Sequence, residues 1–251
     1  MILLGLYGKT KGSNDAKKPE ENNNIILNQK KYLEGNIMTQ EQLKTGTTTI
    51  GIICKDAVIL AADKRATAGH LIAFKDIEKV VEITPTMALT TAGTVSDIQL
   101  LVKYLKAELK LKELRNHRKP NVKEAVNLLA NFNYSNLRGM GGVCHFLFGG
   151  WDAENSFQLY DIYPDGALNG VTSKSKSKGY LASGSGSTFA MGLLEDLWKK
   201  DLTKEEGIEL AYRAVNTAMQ RDSASGEGVD VTIITENEIK KANKAINGSL
   251  N

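Results

Sequence analysis

Thr47-Thr48-Thr49-Ile50-Gly51-Ile52-Ile53-Cys54 is followed by Lys55-Asp56, then by Ala57-Val58-Ile59-Leu60-Ala61-Ala62, with Asp63-Lys64-Arg65 directly behind. The first run is rich in β-branched residues, the second is short and apolar, and the dipeptide between them can turn. The stretch predicts a β-hairpin. A two-residue turn at Lys55-Asp56 pairs positions whose numbers sum to about 111, which sets Thr48 opposite Asp63 and Thr47 opposite Lys64. Ala57 stands where a glycine would favour the tightest turn, so a register shifted by one residue is the alternative. A second hairpin is predicted from Val80–Ile83 and Met87–Thr91 around Thr84-Pro85-Thr86. Its pairs sum to about 170, which brings Lys79 beside Thr91, two residues before Gly93. An acid, a lysine and a glycine-containing turn then gather around one strand end if the two hairpins are neighbours. Periodicity alone does not say that they are.

Outward from this stretch, a helix is predicted to open at Thr94 or Ser96; Ser96 and Gln99 have capping-box spacing. Val95, Ile98, Leu101, Leu105 and Leu109 mark its apolar face. A second helix follows Pro120, with Val122, Val126, Leu129 and Phe132 on one side. Strands are read at Val143–Phe148, Phe157–Ile162 and Leu181–Ser183, the last ending at Gly184-Ser185-Gly186-Ser187. One helix runs on through Leu193, Leu194 and Leu197. Another begins near Thr203, with Glu206 three residues on, and ends before Asp222. Val229–Thr235 is a final strand, and a short charged helix is expected to close the chain. Runs of strands alternating with helix pairs argue for antiparallel sheets covered by helices, not for repeated βαβ units.

Residues 1–46 differ from the rest. Lys9, Lys11, Lys17, Lys18, Glu20, Glu21 and Asn22-Asn23-Asn24 carry no sustained apolar period, so this segment is expected to be a flexible leader. Met38 inside it offers a second translation start.

The 251 residues, 41% of them apolar and 24% charged, can bury the core of one large domain. The formal charge is +3 and both signs are interleaved, which argues against a nucleic-acid stripe or a polybasic membrane patch. Three histidines and two cysteines show no ligand spacing, so neither a metal nor a cofactor is expected. Cys54 and Cys144 lie in apolar, strand-like runs and read as buried free thiols. No apolar run is long enough to span a membrane, and Met1–Tyr7 lacks the basic flank of a signal peptide. A cytoplasmic location is expected, which makes the sequons at Asn133 and Asn247 chance matches.

The chemistry that the Thr47 group offers is specific. A threonine hydroxyl is a weak nucleophile until a base takes its proton. If Thr47 becomes the chain terminus, its own α-amine can serve, because that amine titrates at about 7.7–8.0. A nearby Lys79 ammonium would keep the amine neutral, and Asp63 would offset the cost of holding the lysine charge in a partly buried place. The β-methyl restrains the hydroxyl direction. Gly93 can offer an unobstructed backbone N–H to an oxyanion. The plainer reading is a strand start at Thr47-Thr48-Thr49 and a solvated strand end at Asp63-Lys64-Arg65.

Several blocks settle between these readings. Lys44-Thr45-Gly46-Thr47-Thr48-Thr49-Ile50-Gly51, Ala61-Ala62-Asp63-Lys64-Arg65-Ala66-Thr67 and Ile77-Glu78-Lys79-Val80 come in order. Thr91-Ala92-Gly93-Thr94-Val95-Ser96-Asp97, Ala182–Ser187 and Arg221-Asp222-Ser223-Ala224-Ser225-Gly226 follow. Together they resemble the proteasome β family in its archaeal form, over roughly all of 47–251. The resemblance implies a four-layer αββα sandwich of two antiparallel sheets, as in N-terminal nucleophile hydrolases. It implies that Thr47 is the nucleophile, exposed by autolytic cleavage after Gly46, with Asp63 and Lys79 as essential acid and lysine. Ser185, Asp222 and Ser225 match the supporting group, and the Gly93 N–H matches the oxyanion donor. Thr67 and Gly93 match positions that hold substrate as an added strand. Ala66, Ile77, Val81, Thr91 and Val95 match the side-chain pocket; none is charged, so cleavage after apolar residues is expected. The implied partners are heptameric β rings stacked on α rings, a regulatory AAA ATPase and unfolded polypeptide. Rival readings remain: a phosphate loop at Gly184–Ser187, a purely structural turn at Asp222 and Ser225, a non-catalytic ring subunit, or another N-terminal nucleophile hydrolase.

Overall fold

β1 (Thr49–Ile53) and β2 (Val58–Asp63) form the first predicted hairpin in the unshifted register: Thr49 faces Ala62 and Ile53 faces Val58. Beyond the last strand pair the Asp63 N–H donates to the Thr48 carbonyl at 3.1 Å, so the acid does sit beside the strand start. A short hairpin follows, β3 (Ala66–Ala68) and β4 (Leu71–Phe74). β5 (Val80–Thr84) and β6 (Met87–Gly93) then pair Val80 with Thr90 and Val81 with Leu89, again as predicted, slipping only near the turn. These coordinates are a computed structural model and describe residues 46–242. The predicted leader before Gly46 and residues 243–251 lie outside the described residues.

The remaining elements are α1 (Val95–Asn116), α2 (Val122–Arg138), β7 (Cys144–Asp152), β8 (Ser156–Ile162), β9 (Leu168–Thr172), β10 (Tyr180–Ser183), α3 (Ser187–Leu197), α4 (Lys204–Met219), β11 (Val229–Ile234) and β12 (Ile239–Lys241). One antiparallel sheet has the order β10-β1-β2-β11-β12 and the other β5-β6-β7-β8-β9. Every residue of β1 and β2 is buried because each strand faces two cores. Ile50, Ile52, Ile59 and Ala61 pack toward α3 and α4 with Leu194, Ala211 and Val215. Ile53, Val58, Leu60 and Ala62 point the other way, between the sheets, against Ala88, Phe157 and Leu159. On the far side of the second sheet, Leu89, Phe146 and Phe148 meet Leu105, Val126 and Leu129 of α1 and α2. The result is the expected α+β sandwich in four layers, αββα.

Several local expectations are corrected. Among the described residues after β11 there is no helix: β12 pairs with β11, Thr232 opposite Lys241, and the rest of the segment where a closing helix is expected lies outside the described residues. Of the two expected starts of α1, Thr94 holds and Ser96 does not: the helix runs from Val95, directly after Thr94, whose N–H donates to the Val143 carbonyl at 2.9 Å. Ile98, Leu101, Leu105 and Leu109 are buried as read, but Val95 is 48% exposed. Thr203 and Glu206 do form a capping box, and Asn121 with Glu124 forms another. Asn133 is buried, its amide donating to the Cys144 and Tyr163 carbonyls at 2.9 and 2.8 Å. Both cysteines are free and buried, and burial pushes each thiol up to about 12.

Candidate active site

β2 of the first sheet lies over β5 and β6 of the second, which brings the open ends of the two hairpins together. Thr47 precedes β1, Asp63 ends β2 and Lys79 precedes β5; all three are buried. Lys79 Nζ donates to Thr47 Oγ1 at 3.2 Å and to Asp63 Oδ1 at 2.8 Å. The carboxylate is fully used. Oδ1 also accepts the Thr48 N–H at 2.9 Å, and Oδ2 accepts the N–H groups of Arg65 and Gly226 at 3.1 and 2.9 Å. Burial draws the Lys79 ammonium below its ordinary lysine value; Asp63, by charge and hydrogen bond, opposes this. A lysine so placed gives up its proton more readily than one in water.

A second cluster holds the backbone of Thr47. Its N–H donates to Ser185 Oγ at 3.2 Å. Ser185 and Ser225 both donate to Asp222 Oδ2 at 2.6 Å. Each hydroxyl has one proton, so the 2.7 Å contact between Ser225 Oγ and Thr48 Oγ1 has Thr48 as its donor. The chain is continuous through Gly46, and Thr47 Oγ1 donates to the Gly46 carbonyl at 2.6 Å.

The positions matched by resemblance fall together. A cavity of about 400 Å³ is lined by Gly46, Thr47, Ala66, Ile77, Lys79, Val81, Thr91, Gly93 and Val95, joined by Glu78, Ile98, Gln99 and Val102. Gly93 ends β6 with φ 121°, and a Cβ there would meet the Val143 carbonyl oxygen at 2.0 Å, so only glycine fits. The Thr67 side chain, by contrast, touches the chain before Thr47: its Oγ1 accepts the Gly46 N–H at 2.9 Å. The Gly184–Ser187 turn packs on Thr47. A Cβ on Gly184, where φ is 88°, would lie 2.0 Å from the Thr47 carbonyl oxygen. Close backbone approach accounts for that glycine without a phosphate.

Sequence reasoning missed Arg65, which is not part of a solvated strand end. Its guanidinium donates to the Ser223 carbonyl at 2.9 Å and to Glu227 Oε1 at 3.1 Å, clamping the loop that carries Asp222 and Ser225. Thr48 and Gly226 were also missed as ligands of Asp63. All three lie inside the quoted blocks; the Arg65 and Gly226 contacts join residues more than 150 positions apart, whereas Thr48 lies 15 residues from Asp63. Lys64 does behave as a surface residue, paired with Asp76 and Asp230. Among the described residues no group of three or more His, Cys, Asp or Glu is gathered to hold a metal, and no helix is long and apolar enough to cross a membrane.

A family model for proteasome subunits matches residues 43–234. The chain is similar to the proteasome subunit beta of Archaeoglobus fulgidus, 42% identical over 80% of this chain and 91% of that protein. It is 44% identical to that of Methanosphaerula palustris over 79% of this chain and 90% of that one. With that of Methanosarcina barkeri it shares 38% identity over 85% of this chain and 99% of that one.

Proposed function

This chain belongs to the proteasome β-subunit family, and on that premise we propose that it is a working proteolytic subunit, a threonine endopeptidase of a proteasome core, rather than an inert ring element. The observation that carries the reading is the 3.2 Å contact between Lys79 Nζ and Thr47 Oγ1, with Asp63 at 2.8 Å behind the lysine. A subunit kept only as a wall has no need to bury a lysine and a carboxylate against one hydroxyl, an arrangement that is costly to desolvate.

The first substrate is the chain itself. While Thr47 nitrogen is an amide, Lys79 is the group at hand to take the hydroxyl proton. Oγ1 adds to the Gly46 carbonyl carbon as the proton passes to Nζ. The C–N bond breaks as that proton is delivered to the Thr47 nitrogen, which leaves Gly46 esterified to Oγ1. One water then cleaves the ester, giving a Gly46 carboxylate, a free hydroxyl and a free α-amine. Peptide hydrolysis follows by the same addition to a substrate carbonyl, now with the α-amine beside the hydroxyl as base. Ser185 accepts from that nitrogen already, and Asp222 and Ser225 hold Ser185 in place. The Gly93 N–H serves the oxyanion.

The side chain before the cut bond enters a cavity whose wall is mostly Ala66, Ile77, Val81, Thr91, Val95, Ile98 and Val102, with Glu78, Lys79 and Gln99 also lining it, and the apolar majority favours apolar residues. The chain would work in β rings stacked on α rings, in the cytoplasm, on unfolded polypeptide delivered by an ATPase. Thr47→Ala in the assembled particle tests the reading. An uncut leader and no hydrolysis are expected; unchanged turnover would make the chain a scaffold. Fluorogenic peptides test the pocket, and fastest turnover after Glu or Arg would refute it.

A further inference from the structure

Self-cleavage needs the residue before Thr47 to sit where its carbonyl carbon meets Oγ1. The Gly46 carbonyl is held against that hydroxyl, accepting from Thr47 Oγ1 at 2.6 Å, and a side chain at position 46 would lack room. The obstacle is a neighbour: a Cβ at position 46 would lie 1.8 Å from Ala224 Cβ and 3.0 Å from Ala224 Cα, with Ser185 Oγ at 3.1 Å. Carbon atoms pack at about 3.5–4.0 Å, so one of the two residues would have to withdraw by more than an ångström.

Ala224 is poorly placed to withdraw. Its N–H donates to Asp222 Oδ1 at 3.2 Å, and Ser225 N–H donates to the Asp222 carbonyl at 3.1 Å. Arg65 holds the Ser223 carbonyl from outside. Moving this turn would disturb the carboxylate that positions Ser185 under the Thr47 nitrogen. The opposite side of Gly46 is held too. Its N–H donates to Thr67 Oγ1 at 2.9 Å in a buried contact. A register shift between Ala66 and Thr67 in the β3–β4 hairpin bends the strand at that point, the kind of irregularity that re-aims a side chain. Between these two holds the Gly46 carbonyl accepts from Thr47 Oγ1 at 2.6 Å.

We propose that Ala224 and Thr67 form the walls of a slot that admits only glycine at position 46, so that they select the residue before the cut bond and position its carbonyl. This rests on the self-cleaving reading above. Thr67 acts here through the leader backbone, as a positioning residue, and Ala224 acts by shape alone.

The test follows leader removal over time by intact mass, in the chain assembled with its partner subunits. Gly46→Ala is expected to slow cleavage by about 10²-fold, the effect of roughly an ångström of misplacement. Gly46→Ala with Ala224→Gly should recover most of that loss, because the second change removes the methyl in the way. Thr67→Val, which keeps shape and loses the acceptor, should slow cleavage, and Thr67→Ser should restore it. The slot is overturned if Gly46→Ala is cut at the parent rate. It also fails if the assembled double variant stays as slow as Gly46→Ala, or if Thr67→Val is as fast as the parent. Should the double variant not assemble, the Thr67→Val and Thr67→Ser pair decides. A parent chain that is never cut, or a Thr47→Ala chain that still is, would instead bring down the self-cleaving reading.

Discussion

Replacing Asp63 by Asn removes one charge from a pair whose side chains are 5% and 0% exposed. Lys79 would then be a buried ammonium without the carboxylate that pairs it at 2.8 Å. Removing one partner of a buried pair costs about 3–5 kcal/mol. A second route gives the same scale. The lysine can escape by shedding its proton, and from an ordinary value of about 10.4 that costs about 5 kcal/mol at pH 7, at about 1.4 per pH unit. By pH 9 the same step costs only about 2 kcal/mol. The sign is fixed by proton counting: a lysine depressed in the folded chain binds fewer protons there than when unfolded, so stability rises with pH up to the unfolded value. A smaller loss independent of pH comes on top, because the amide sets an NH2 against N–H donors of Thr48, Arg65 or Gly226. Asp63→Asn should be compared with its parent in a Thr47→Ala background, so that neither chain is cut. Denaturant unfolding at matched subunit concentration, at pH 7, 8 and 9, is the assay. The expected gap narrows as pH rises, by at most about 1.4 kcal/mol per unit. A gap below about 1 kcal/mol at pH 7, or one that does not change with pH, would refute the buried charge pair.

Leader cleavage in the precursor has no α-amine to confuse its pH dependence. Its rate should rise with pH through the depressed Lys79 value and be lost as pH falls below it, since the base form is required; a rate flat across that range would contradict the lysine's role. Asp222→Asn should lower kcat by about 10²-fold through misplacement of Ser185 and the Thr47 amine, with ring assembly intact by gel filtration.

The strand registers could be read from the chain because each depends on one turn. Lys55-Asp56 and Thr84–Thr86 set the pairing of their own hairpins, and the buried faces forbid a one-residue slip. The gathering of Thr47, Asp63 and Lys79 could be read only in part. Half of it is register; the other half is the stacking of two sheets, which no local period encodes. β3 and β4 escaped because Leu71, Ile72 and Phe74 are exposed and the strands are three and four residues long, so neither burial nor length marked them. β12 escaped because Ile239-Lys240-Lys241 carries as much helical as strand signal until β11 lies beside it. The blocks that resemble a known family pointed to Ser185, Asp222 and Ser225, which spacing alone would not have gathered beside Thr47, whereas hairpin register already set Gly93 near Lys79. They located Thr67 too, but its hydroxyl reaches Gly46, a contact with the chain itself. Ala224 had no signal at all: an alanine in a turn becomes informative only when its distance to Gly46 is known.

In the proposed protease the Thr47 hydroxyl does the chemistry. Treating the assembled particle with a peptide vinyl sulfone bearing an apolar side chain, then locating the adduct by tandem mass spectrometry, addresses that claim directly. The adduct is expected on Thr47 Oγ1, in chains that begin at Thr47, and absent from Asp63→Asn particles. Labelling at another residue, or on chains whose leader is still attached, would contradict it.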